Sequence, residues 1–268
     1  MLEHIRILLP GQTLSSTMEG QYNLNLVPLS LMLSIVGSYV ALEIAYKLRK
    51  SERFDERSKW LWTGAVALGV GAWSMHFVGM NAFKLPEPIY YNPWVTLLSL
   101  APVILASRLA IGIISSKNQS VITTLSGGVL FGAGIGVMHY VGMAGMLTNA
   151  YMYFRVEIVL LSVLIVVILA TIALSSRQII DAVLGKQSGM LPIFLGAVLM
   201  GGAIASMHFI AMKATLYYAD ETCADWVQLS DDSSIVLSLG MPIVSILLGL
   251  MVVVVAEISP KARATKTA

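Results

Sequence analysis

The stretch GAVALGVGAWSMHFVGM, residues 64–80, decides the fold because it occurs three times. Its copies are GGVLFGAGIGVMHYVGM at 127–143 and GAVLMGGAIASMHFIAM at 196–212. All three read G-x-V-x-x-G-x-[GA]-x-x-x-M-H-[FY]-[VI]-[GA]-M. Each copy closes a long apolar run. Three of the chain's four histidines, His76, His139 and His208, occupy the same place in it. An imidazole at lipid depth is costly without a partner or ligand, so three in matched surroundings point to one shared site.

The runs around these copies set the class. Of 268 residues, 57% are hydrophobic and 12% charged, with mean hydropathy +0.79. A soluble domain carries about 25% charged residues, so an integral membrane protein is expected. Seven runs reach the roughly 20 residues that a crossing needs, at 26–47, 60–83, 93–115, 121–147, 156–176, 190–214 and 235–257. The expected architecture is an all-α, seven-transmembrane-helix bundle, with a threefold internal repeat of helix pairs plus one extra helix. Residues 1–25 form an outer N-terminal segment, 26–257 the membrane domain and 258–268 a cytoplasmic tail. Twelve of the 17 lysines and arginines fall in alternate loops and the C-terminal tail. The positive-inside rule then puts the N-terminus outside and the C-terminus in the cytoplasm. Tyr90, Tyr91, Trp94, Tyr151, Tyr153, Tyr217, Tyr218 and Trp226 read as an outer interfacial belt. The net charge of +2 with scattered basic residues excludes a nucleic-acid patch. No cleavable signal peptide is legible, and Cys223 reads as an unpaired thiol in a polar loop.

The three copies fall on spans two, four and six, which run in the same direction and bring their histidines to one depth. His76 lies about 25 Å from Lys59 and about 12 Å from Lys84 along a helix, which is the outer part of the membrane. Gly69, Gly132 and Gly201 precede the histidines by seven residues, close to two full turns. They read as helix-packing positions, as do Gly128 and Gly136 beside Gly132, and the same faces allow a homodimer. Met80, Met143 and Met212 follow the histidines by four residues and share their face; Met75, Met138 and Met207 precede them by one. Imidazole with thioether suits copper, above all Cu(I), better than magnesium, calcium or manganese. No carboxylate recurs in the motif, which argues against zinc hydrolase and di-iron chemistry. His4 is a minor candidate for a fourth ligand from a mobile N-terminal segment.

At these residues the sequence resembles the MHYT-domain family of bacterial integral membrane sensors, over nearly the whole chain. The resemblance implies copper bound near the outer face of the bacterial cytoplasmic (inner) membrane by His76, His139, His208 and the motif methionines. It also implies detection of a diatomic gas (O2, CO or NO) or a redox signal. The family's threonine position is Val78, Val141 and Ile210 here, and its tyrosine appears only as Tyr140. Family members are often fused to cyclic-di-GMP domains or kinases. Only Ile258–Ala268 follow the last span, so the expectation is a non-enzymatic sensor in membrane lipid that works through a cytoplasmic signalling partner or a fused output domain. The alternatives are a membrane copper carrier or transporter, and a haem protein with two histidines as axial ligands.

Overall fold

The structure is a computed structural model that describes residues 4–50, 57–116, 120–185 and 190–219, together with Cys223 and Leu247. The seventh run, 235–257, and the tail 258–268 therefore lie outside the described residues, apart from Leu247. Within them, six helices are long and apolar enough to cross a membrane. This is a multi-pass membrane bundle.

The helices are α1 (Leu26–Lys50), α2 (Arg57–Ala82), α3 (Pro93–Leu98), α4 (Leu100–Ile114), α5 (Val121–Ala144), α6 (Val156–Leu184) and α7 (Leu191–Ala214). The third run is thus two helices. Pro102 has no N–H to offer the carbonyl of Leu98, so the ladder breaks at Ser99. The break is held from α2, where the Trp73 indole Nε1 donates to Thr96 O at 3.2 Å and Ser99 Oγ at 3.1 Å. Asn92 caps α3 by accepting from the N–H groups of Trp94 and Val95. Ser120 and Thr123 form a capping box at the start of α5.

The bundle is mostly helical, as expected, and among the described residues it also carries short strands. Seven short strands gather at the end where the histidine-bearing helices finish: β1 (Ile5–Leu8), β2 (Gln21–Tyr22), β3 (Phe83–Lys84), β4 (Tyr90–Tyr91), β5 (Met146–Leu147), β6 (Tyr151–Arg155) and β7 (Thr215–Tyr218). Antiparallel pairs β2–β3, β4–β5 and β6–β7 each join the segment entering a helix pair to the segment leaving it. β1 adds to β6 in parallel, completing a three-stranded sheet β1–β6–β7. Backbone leaving a helix must find new hydrogen-bond partners, and these ladders supply them. The N-terminal segment is accordingly docked. His4 O accepts from Met152 N at 2.8 Å, and the His4 side chain is buried.

The glycines seat flanking helices. A Cβ on Gly69 of α2 would lie 3.0 Å from Ile104 Cα of α4. On Gly132 of α5 it would lie 3.1 Å from Val167 Cα of α6, and on Gly201 of α7 2.9 Å from Ile35 Cα of α1. Gly128 meets Thr171 and Gly136 meets Val163, both on α6. Ser34 of α1 strengthens the last of the three seats by donating to Gly201 O at 3.2 Å. With these seats taken by α1, α4 and α6, the motif helices α2, α5 and α7 also touch one another, and the triad forms among them.

Candidate metal centre

His76, His139 and His208 come from helices far apart in sequence and meet through one atom each. The Nδ1–Nδ1 distances are 3.1 Å for His76–His208, 3.1 Å for His76–His139 and 3.3 Å for His139–His208. All three rings are buried and lie nearly perpendicular to one another. Among the described residues this is the group of histidine, cysteine and acidic side chains arranged to hold a metal ion.

The triangle cannot satisfy itself. A neutral imidazole nitrogen is either a donor or an acceptor. Among three mutually close nitrogens two always have the same role, so one contact sets N–H against N–H or lone pair against lone pair. A cation at the centre removes the conflict by taking all three lone pairs. The centre of such a triangle lies roughly 1.8 Å from each corner, close to the about 2.0 Å of a metal–imidazole bond. The residues therefore fit a metal ion. They do not fit haem in this arrangement, because nitrogens at van der Waals contact leave no layer between them for a porphyrin.

The outer edges of the rings are equally confined. The three Nε2 atoms are buried and have no hydrogen-bond partner among the described residues. His76 Nε2 would lie 2.6 Å from a Cβ on Gly142 of α5, and His208 Nε2 2.6 Å from a Cβ on Gly79 of α2. Gly142 and Gly79, three places after His139 and His76, are thus notches for a neighbouring helix's imidazole. The same position after His208 is Ala211. The [GA] of the repeat carried this signal in the sequence, and it was legible there only as a small residue.

Aromatic rings surround the three histidines. Phe77, Tyr140 and Phe209, the residues following each histidine, stand edge-on to it with centroids 4.6–4.9 Å away. Each is covered by a ring from a strand or its end: Tyr91 on Phe77 at 5.8 Å, Phe154 on Tyr140 at 5.6 Å and Tyr22 on Phe209 at 5.6 Å. Tyr91 is therefore a buried lid, not a belt residue, and burial raises its phenol pKa above the usual value. Burial likewise pushes Tyr22 up to about 12. Tyr140 is anchored by its hydroxyl to Ser162 Oγ at 3.1 Å. An apolar shell of this kind controls access and dielectric at a metal site.

The remaining candidates are placed as follows. Met75, Met80, Met138, Met143, Met207 and Met212 are all buried. The Met207 methyl lies toward Gly136 of α5, one turn below His139. Met80 forms part of a cavity of about 340 Å³ at the strand end, with Asn81, Lys84, Glu87 and Tyr91. His4 is outside the triad; it packs at the strand end beside Met146, and burial lowers its pKa. Cys223 is buried and forms no disulfide.

Comparison with known proteins agrees with the motif. The family described as the bacterial signalling protein N-terminal repeat, MHYT, matches residues 69–127 and 132–191. The bifunctional diguanylate cyclase/cyclic di-GMP phosphodiesterase MucR of Pseudomonas aeruginosa is 35% identical over 76% of this chain and 29% of its own length. The cyclic di-GMP phosphodiesterase NbdA of the same organism is 32% identical over 79% of this chain and 27% of its own. The signaling protein YkoW of Bacillus subtilis is 29% identical over 74% of this chain and 25% of its own. The chain thus spans less than a third of the length of these relatives. No solved structure matches it.

Proposed function

We propose a function from one established premise: this chain belongs to the MHYT family of bacterial signalling proteins. We infer that it is the membrane sensor part of such a system and that His76, His139 and His208 hold a copper ion. The observation that carries the reading is the closed Nδ1 triangle, which no arrangement of protons satisfies and a central cation does.

Charge favours the cuprous ion. Among the described residues no carboxylate or thiolate belongs to the cluster to neutralise a dication. The idealised Born penalty of burial grows as the square of the charge, so a dication faces about four times the penalty of a monocation. Three imidazoles and neighbouring thioethers also suit a soft ion. The three histidines would hold the ion through Nδ1, and the aromatic shell would keep water from it. The six motif methionines are candidates for a further thioether ligand. Bound copper would supply an electron-rich centre able to take up O2, CO or NO or to change oxidation state. The cavity beside Met80 is the proposed approach.

In the reading we favour, the strand end faces out of the bacterial inner membrane and residues 235–257 form a seventh span. The signal passes to a cytoplasmic output, fused or separate, as the names of the cyclic-di-GMP relatives suggest. The glycine faces are filled by flanking helices of the same bundle, and a homodimer would use other faces. Enzymatic activity is assigned to that output and not to the bundle.

The test is elemental analysis of purified protein after copper loading, beside a His76→Ala, His139→Ala, His208→Ala variant of unchanged helicity. One copper per parent chain and none in the variant is expected. Equal copper in both would end the metal reading and leave the triad as a structural polar cluster.

A further inference from the structure

At the end of the bundle opposite the strands lies a second built feature, independent of the histidine triad. The three glycine seats pair Ile35 of α1, Ile104 of α4 and Val167 of α6 with equivalent positions on α7, α2 and α5. Ten residues further along those flanking helices stand Ala45, Ile114 and Arg177. All three line one cavity of about 50 Å³, where α1, α4, α6 and α7 come together. One water needs only about 10–15 Å³, so there is room for a small polyatomic group.

The three equivalent positions differ in chemistry. Two are apolar, as packing between membrane helices requires, and the third is a guanidinium. Arg177 lies 4.0 Å above the Tyr46 ring and its Nε is 3.5 Å from Asp181 Oδ2. Both contacts hold the guanidinium in a fixed plane. A guanidinium has five N–H donors, and the buried Nη1 of Arg177 makes no hydrogen bond among the described residues. Arg49 lines the same cavity, as do the hydroxyl-bearing Ser176 and the amide of Gln178, and no acidic residue lines it. The other walls are aliphatic: Leu42, Leu174 and Ile193.

We propose that this cavity is a binding site for a phosphate group, taken between Arg49 and Arg177. Planar guanidinium donors match the oxygens of a phosphate with paired, charge-assisted hydrogen bonds. The phosphate of an anionic phospholipid and a free or nucleotide phosphate carry the same chemistry. The aliphatic wall beside the two arginines gives the lipid a place for its glycerol and first methylenes. A ligand here ties together the ends of α1, α6 and α7, the helices through which the opposite end of the bundle would be read.

Binding of dioctanoyl phosphatidylglycerol, dioctanoyl phosphatidylcholine and inorganic phosphate to the detergent-solubilised full chain tests this, by calorimetry. The expected result is binding of phosphatidylglycerol in preference to phosphatidylcholine, weakened about tenfold or more in Arg177→Gln and in Arg49→Gln, the size of one lost charged hydrogen-bond contact. If inorganic phosphate competes with the lipid at similar affinity, the site holds and its ligand is soluble phosphate. Gel filtration and helicity establish that each variant is folded. Should Arg177→Gln not fold, Arg49→Gln decides by itself. Equal binding of the two lipids without phosphate binding, or parent-like binding in the folded variants, overturns the proposal and makes Arg177 a strut between α1 and α6.

Discussion

Helices α2 and α6 invert the rule that holds in water. By composition α6 is the most apolar of the six long helices and α2 the least, yet 28% of the most apolar window of α6 is buried in the protein against 83% for α2. Lipid is as apolar as leucine, so hydropathy here marks the face turned outward, and packing is left to small and polar residues. α2 holds Gly64, Gly69, Gly71 and Gly79, with Ser74 and His76 buried among them. α6 exposes Leu160, Leu161 and Leu164 instead. The most buried of the six spans, which carries His76, is therefore also the least apolar one.

The contrast is broken if truncation affects the two helices alike. Trp73→Ala removes a fully buried ring and both its contacts to the α3–α4 break. It should destabilise the bundle by about 3–5 kcal/mol. Leu160→Ala, at a side chain 65% exposed, should change stability by less than about 0.5 kcal/mol. Thermal and steric-trapping measurements of unfolding in one detergent compare them, and similar losses would refute the outward assignment of α6.

A finer test stays within one residue type. Gly142→Ala places a methyl against His76 Nε2, while Gly202 has nothing within 4 Å of its would-be Cβ. Gly142→Ala should weaken copper binding by about 10- to 100-fold, the usual effect of disturbing a ligand's support. Gly202→Ala should leave it unchanged. Competition against a cuprous chelator measures both, and parent-like affinity in Gly142→Ala would show that the notch does not position the ring.

The smallest effect concerns the strand lid. The folded state holds the Tyr22 phenol protonated up to about pH 12, whereas an unfolded tyrosine ionises near 10. The folded chain therefore binds more protons between these values. This contribution to stability is complete below pH 10 and is lost as pH rises toward 12. Tyr22→Phe should flatten that part of the stability profile. An unchanged slope would mean that the lid opens before the phenol titrates.

Six of the runs read from composition became helices with shifts of a few residues at most ends, because hydropathy and length are local quantities. The main exception is α6, which continues to Leu184 past the expected end at 176. The break at Ser99 was harder to read, since Pro102 lies within an unbroken apolar run and reveals itself only through the missing donor to Leu98. The strands were not legible at all. Pairs of two residues such as Tyr90–Tyr91 with Met146–Leu147 carry no periodicity, and their aromatic content reads equally well as an interfacial belt.

By itself the sequence determined that this is a bundle of membrane helices and that three histidines recur in one motif at one depth. Repetition and hydropathy need no knowledge of the fold. Only the tertiary structure decided that those histidines, 63 to 132 residues apart, meet through Nδ1, with Nε2 of His76 and of His208 against glycines of a neighbouring helix. It also decided that Ala45, Ile114 and Arg177 share a cavity. Which way a ring points depends on the rotation of its helix about its own axis. That rotation is set by backbone contacts at Gly69, Gly132 and Gly201, whose partners lie on other helices and leave no mark in the local sequence.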